Sequence, residues 1–468
     1  MLIFFSDVHL TDGSSSDTIN EEAFDRFADQ VVDLVRRRSP QELRLVLLGD
    51  GLDLVRSNVW LDRTDVCPWT KASGEQERVV LEILSRIFRA NSWAIDHLLD
   101  IPPRIALSGH MTPGPIRLDY VLGNHDWLIN RYASARRMVV DRLHLDEAYV
   151  HEGFPFSFRS PPEAYDVVAR HGDVHDRINC AADHGQEASS LGDAIIVELL
   201  NRFPMEVGKE LGDDADSREA VRRLREIDNV RPMTHLATWV LETVSELGRG
   251  NPRLLAAVDR AMERVVDDFR QDPGVRALAA DQLGWLERWY FWALLADVRR
   301  RKVNVLDSWP RLVDRLVRGW RLLRSLPVST YGAHALQERG TDGRPPRFVV
   351  YGHTHHSESV PLGPAAGGEG GDRFYLNTGT WRTVWQMAET GGMEDHFASW
   401  KEMGYVVLYA PGEANGRHEF EVWTGGLRDR PPEQAPASAL GDAVGRPPVA
   451  SYALRVPSGE PDTPVTRA

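Results

Sequence analysis

Apolar positions fall into two patterns that divide the chain. "LIFF" (residues 2–5) is an unbroken apolar run that reads as a buried strand and leads straight into Asp7 and His9. Phe24, Phe27, Val31 and Leu34 then recur at helical spacing and predict a helix to about Arg38. "TINE" (Thr18 to Glu21) fits a capping box at its start. "LRLVLLGD" predicts a second strand ending at Asp50, followed by a long helix over about residues 75–99. "RLDYVLGNHD" predicts a third strand, ending at Asn124. Further apolar runs lie around Phe154–Phe158 and Tyr165–Ala169, the latter running into His171. Strands and helices thus alternate, with polar chemistry at each strand's carboxyl end, the edge where open α/β sheets place their sites.

From about residue 181 to 344 strand signals disappear and amphipathic helical spacing takes over. Leu255, Val258, Met262, Val265 and Phe269 follow Asn251-Pro252, a good cap and first-turn pair. About five or six helices are expected there. Strand signals return in "RFVVYGHTHH", "RFYLNTGT", "GYVVLY" and "EFEVW". The pattern predicts a first domain made of residues 1–180 plus 345–425, interrupted by an all-α insertion at 181–344. Residues 426–468 are rich in Pro, Ala and Gly without periodicity and read as a flexible tail.

Composition narrows the class. A chain of 468 residues, 42% of them hydrophobic, can bury a large core and carry an accessory module. The net charge of -14 disfavours general nucleic-acid binding, though a local basic patch is compatible with it. Two cysteines, Cys67 and Cys180, are too few for a disulfide framework or a thiolate zinc site, which fits a reducing, cytoplasmic location. A strand at residue 2 and candidate chemistry at residue 7 leave no room for a cleavable leader. No apolar run reaches the ~18 to 20 residues that span a bilayer.

Five polar motifs carry the chemistry. They are "SDVH" (Asp7, His9), "LLGDGLD" (Asp50, Asp53), "LGNHD" (Asn124, His125, Asp126), "RHGD" (His171) and "YGHTH" (His353, His355). Each alone is weak. Together they are strong, because apolar runs and tight glycine turns precede them. Residues i and i+2 at a strand end point the same way, so Asp7 with His9, and His353 with His355, can each offer two ligands to one region. Mixed carboxylate and imidazole donors suit Mn, Fe, Zn or Co better than calcium. Two such cations clamp phosphate oxygens and lower the pKa of a bound water from 15.7 towards ~7.

The five motifs resemble those of the calcineurin-like metallophosphoesterase family, over residues 1–175 and about 345–385 and in the family's order. The resemblance implies an α+β fold, a two-sheet β sandwich flanked by helices. It implies one cation held by Asp7, His9, Asp50 and His355, and a second by Asp50, Asn124, His171 and His353, with Asp50 bridging. The cofactors would be two divalent metal ions, manganese first, with Fe, Zn, Co or Mg as alternatives. His125 would protonate the leaving oxygen and Asp126 would orient His125. The implied activity is hydrolysis of a phosphomonoester or phosphodiester by a metal-bound hydroxide. A lipid- or nucleotide-linked pyrophosphate is the alternative substrate, and a catalytically silent scaffold the alternative of another class. "HGD" at 171–173 with a helical segment before "GHTH" also resembles UDP-2,3-diacylglucosamine hydrolases. This chain has His125 where that group has an arginine, and a far longer insertion, so that substrate is not carried over.

Several residues keep two readings. His175 or His151 can stand in for His171. Asp53 supports a ligand histidine or is a turn residue. Asn377, Thr378 and Arg382 of "LNTGTWR" reach a phosphate or form a plain turn. Trp239, Trp285, Trp289, Trp292 and Trp320 read first as helical core, second as a pocket for an apolar substrate. The basic run from Arg299 to Arg324 is a solvated helix face or an anion-facing surface. The expected partners are a phosphorylated small molecule or nucleotide as substrate, with the insertion contacting substrate, a partner or an anionic surface.

Overall fold

The structure is a computed structural model that describes residues 1–15, 19–63, 65–109, 114–180, 185–231, 235–247, 252–300, 330–364, 372–388, 396–414 and 419–427. Two sheets form an α+β architecture. In the first, β1 (Leu2–Phe5), β2 (Leu43–Leu48) and β3 (Ile116–Val121) run parallel. In the second, β4 (Phe158–Ser160) pairs antiparallel with β5 (Val167–Ala169), which runs parallel to β6 (Phe348–Tyr351). The chain returns through β7 (Ser357–Pro364), β8 (Asp372–Thr378), β9 (Thr383–Met387), β10 (Phe397–Tyr409) and β11 (Glu419–Leu427). The strand orders are β11-β10-β1-β2-β3, with β9 on β10, and β4-β5-β6-β8-β7.

Strand alternation explains the layering. Leu2 and Phe4 of β1, Val46 and Leu48 of β2 and Val121 of β3 pack against Val167, Ala169, Phe348, Val350 and Leu376 of the second sheet. Ile3, Phe5, Leu45 and Leu47 point the other way, onto helices α1 (Glu21–Arg38), α2 (Gly74–Ala90) and α3 (Ser92–Leu99). The helix expected over 75–99 is therefore two helices, broken at Asn91, whose side-chain amide donates to the carbonyls of Ile87 and Thr11. Helix α1 is capped at Asn20 without a side-chain bond; Thr18 of the expected capping box lies outside the described residues. Neither β7 nor β9 was expected. β7 is an edge strand carrying Pro361 and Gly363, which mask a strand pattern.

Eight α-helices lie between Leu191 and Ala335 among the described residues, more than the five or six expected. Trp239 is buried there and packs edge-on against Trp385 of β9, ring centroids 5.8 Å apart. Trp285 and Trp289 do not fill a core: they are 72% and 68% exposed on the helix Trp285–Arg300. Residues 301–329, which hold Trp320 and the basic run beyond Arg300, and the tail from 428 lie outside the described residues. Among those described, no helix is long and apolar enough to cross a membrane.

Candidate metal centre

The carboxyl ends of the parallel strands of both sheets meet at one place. Asp7 and His9 follow β1, Asp50 follows β2, and Asn124 and His125 follow β3. His171 follows β5, and His353 and His355 follow β6. Side-chain ligand atoms of Asp7, His9 and His355 all lie within 4.8 Å of one another. So do those of Asp50, His171 and His353, and those of His9, Asp53 and His125. His171 rather than His175 or His151 enters the cluster. His175 instead stacks on His334, with centroids 4.2 Å apart, and His151 is exposed.

The backbone at these residues is not strand-like. Asp7, His9, Asp50, His353 and His355 have φ of 52°, 47°, 52°, 68° and 55°, a left-handed region that residues with a Cβ seldom adopt. Strand alternation therefore does not aim the i and i+2 pairs, as the sequence suggested; two left-handed residues in each loop do. Such strain costs on the order of 1–3 kcal/mol per residue and persists only where the surroundings impose it. Here the Asp7 amide donates to Gly49 O at 3.2 Å, and its carbonyl accepts from Trp381 N and Thr380 Oγ1, both at 3.1 Å. The His9 amide donates to Asp50 O at 2.8 Å. Gly123 is required by proximity, since a Cβ there would collide with Asp50 Oδ1 and the His171 ring.

Hydrogen bonds on the outer side of each ring decide which nitrogen faces the centre. His9 donates from Nδ1 to Asp53 Oδ2 at 2.7 Å, and His171 from Nδ1 to the Leu48 carbonyl at 3.0 Å. In their neutral forms both rings turn an Nε2 lone pair inward. His353 places Nε2 3.4 Å from Asp176 Oδ2 and Nδ1 3.3 Å from His171 Nε2. Asp50 Oδ2 lies 3.1 Å from His171 Nε2 and 3.7 Å from His9 Nε2, between the two groups. Asn124 Oδ1 is buried without a hydrogen-bond partner, and Asp7 Oδ1 meets His355 Nε2, at 3.2 Å. These inward lone pairs and buried oxygens form a mixed N/O donor set that fits a pair of divalent cations. His355 is the exception. Arg231 Nη2 donates to its Nδ1 at 2.7 Å, so the neutral ring carries its proton on Nε2, 3.2 Å from Asp7 Oδ1. Using Nε2 as a ligand therefore requires Arg231 to leave Nδ1.

Burial, reinforced by the Arg56 charge, pushes His9 down to about 3; burial and Arg231 push His355 down to about 4. Both rings are thus neutral near pH 7. Burial also pulls His125 down, but Asp53 and Asp50 outweigh it and hold the ring above its ordinary value. The same balance holds His171 well above its ordinary value, through Asp50 and then Asp7.

The residue that orients His125 is Asp53, not Asp126. Asp53 Oδ1 accepts from His125 Nδ1 at 2.8 Å while its other oxygen holds His9. Asp126 cannot turn to its neighbour, because its oxygens accept from Gly123 N at 2.6 Å, Gly51 N at 3.0 Å and Tyr120 OH at 2.7 Å. It ties the loops after β2 and β3 together, and burial with Asp50 nearby raises its pKa to about 7. Asp126→Ala would strand three buried donors, each worth about 1–3 kcal/mol when unsatisfied. A stability loss of about 3 kcal/mol or more is expected in urea unfolding; a loss below about 1 kcal/mol would contradict this structural role.

Asn377 and Thr378 brace the "GHTH" turn: Asn377 donates to Gly352 O at 2.8 Å, and Thr378 shares a 2.5 Å hydrogen bond with Ser6. Arg382 reaches Asp228 Oδ2 at 3.1 Å. Sequence reasoning missed Asp228 and Arg231 in the helical stretch, where "DNVR" has no motif character; only a tight cluster of charge inside an amphipathic region marked it. Comparison with protein-family models, with curated proteins and with solved structures finds no match for this chain.

Proposed function

We propose that this chain hydrolyses phosphate esters with two divalent cations, manganese first, held by Asp7, His9, Asp50, Asn124, His171, His353 and His355. The observation that supports it is the convergence of two ligand triads beside Asp50, with the buried Asn124 Oδ1 left without a protein donor. Such cations, when bound, supply Lewis acidity to a phosphoryl group and to the attacking water. The chain's own part is positional. Asp53 fixes His9 and His125 with one carboxylate, so that a ligand ring and the acid ring move together. His125 turns Nε2 toward the centre, 3.9 Å from Asp50 Oδ2, and donates that proton to the leaving oxygen. The neighbouring carboxylates keep the proton on the ring until it is needed. The gathering of these seven side chains at one site supports an enzyme over a silent scaffold.

The test is direct. Protein dialysed against manganese should retain about two ions per chain by elemental analysis and release nitrophenol from 4-nitrophenyl phosphate or its bis ester. Chelation should abolish turnover and readdition restore it. A chain that keeps no manganese overturns the assignment.

A further inference from the structure

Three arginines from three distant segments converge beside this centre. Arg56 comes from the loop after β2, Arg382 from the position just before β9, and Arg231 from the helical stretch. All three gather around Asp228. Its carboxylate Oδ2 accepts from Arg382 Nη1 at 3.1 Å and pairs with Arg56 Nη2. Arg231 Nη1 instead donates to backbone carbonyls, Asp228 O at 2.7 Å and Val230 O at 3.0 Å. The Asp228 carboxylate is thus already shared by two cations. Among the described residues, no carboxylate lies within ion-pair distance of Arg231. Burial accordingly pushes its pKa down to about 10, with Asp7 the opposing charge. Arg56 is 3% exposed and its Nη1 has no hydrogen-bond partner.

The turn that delivers Arg231 is pinned. Val230 bridges Trp385 of β9, and the Arg231 amide donates to Trp385 O at 2.8 Å. The guanidinium is therefore aimed at His355 by backbone contacts rather than by a flexible helix face. Its bond to His355 Nδ1 is conditional. Once His355 uses Nε2 as a ligand, Nδ1 carries the ring proton and no longer accepts from an arginine, which is donor-only. Arg231 then needs an anionic acceptor at the centre.

We propose that Arg231 is a substrate-binding residue, contributed by the helical stretch, that takes a non-bridging phosphoryl oxygen and favours substrates bearing a terminal, doubly charged phosphate. The inference rests on the phosphoester reading of the same centre and names its substrate class. A phosphomonoester carries close to two charges at neutral pH and a diester one, so a guanidinium lacking its own counter-ion favours the former. Arg56, behind it, adds to the positive field, and Asp228 holds the arginines in place.

Inorganic phosphate is the probe. Calorimetric titration into manganese-loaded wild type, Arg231→Met and Arg231→Gln should show phosphate affinity falling at least roughly tenfold in both variants, with partial recovery in Arg231→Lys. Manganese content should stay at the wild-type level, and the melting temperature should not fall, because the lost group is a cation with no carboxylate partner. The kcat/KM for 4-nitrophenyl phosphate should drop more than that for the bis ester. Phosphate affinity within about twofold of wild type in Met and Gln variants that keep their manganese overturns the inference and leaves the hydrolase reading standing. Wild-type protein that retains no manganese overturns both.

Discussion

Replacing Asp50 by asparagine is expected to abolish manganese retention and to lower aryl-phosphate turnover by about 10³-fold, roughly 4 kcal/mol of barrier. Asp50 stands between the two ligand groups, with Oδ2 3.1 Å from His171 Nε2 and 3.7 Å from His9 Nε2. Its other oxygen accepts from the His125 amide at 2.9 Å. Asparagine keeps the shape and can keep that amide contact. It replaces the inward oxygen with an amide nitrogen that has no lone pair to offer a cation. The fold should therefore persist while the chemistry goes. Elemental analysis beside a melting curve separates the two effects, and an Asp50→Asn protein that keeps its manganese would show that the aspartate does not join the two positions.

Asp53→Ala should have the second largest effect, although Asp53 faces away from the reacting groups. One carboxylate holds Nδ1 of His9 at 2.7 Å and Nδ1 of His125 at 2.8 Å, and Arg56 Nε lies 3.3 Å from it. His125 and then Arg56 overcome burial and keep this carboxyl well below its usual pKa, so it is ionised at working pH. Without it both rings lose tautomer and direction together. Manganese affinity should fall about 10- to 100-fold, and kcat about 10²- to 10⁴-fold. The loss should be far smaller when His125 is already alanine, since one of the two tasks is then void. A kcat within about threefold of wild type would remove Asp53 from this role.

The sequence made the sheets and most of the cluster legible because the two share a cause. Strands buried on both faces must be unbroken apolar runs, so a charged or imidazole side chain stands out wherever such a run stops. That is why Asp7, Asp50, Asn124, His171 and His353 were visible from "LIFFSD", "LVLLGD", "YVLGN", "VVARH" and "VVYGH". Orientation was not legible. Asp126 sits next to His125 in sequence, and adjacency suggested a pair. The loop conformation turns the two apart, and a residue 72 positions away, Asp53, fills the place. The left-handed backbone at Asp7 and His9 was equally hidden, because no glycine or asparagine announced it. Arg231 was invisible for a different reason. Nothing in an amphipathic helical stretch says which of its many arginines faces a distant sheet edge, since that is set by the Val230 and Trp385 pairing between elements 155 residues apart. The Trp285 and Trp289 misreading follows from using residue type as a stand-in for burial.

Five of the seven proposed ligands sit in a backbone posture that L-amino acids resist, each a few residues beyond the end of a paired strand. Grip on a cation is thus borrowed from the sheets rather than owned by the loops. Warming should slacken those loops before the strands part, so manganese retention is expected to fall at a temperature below the unfolding midpoint.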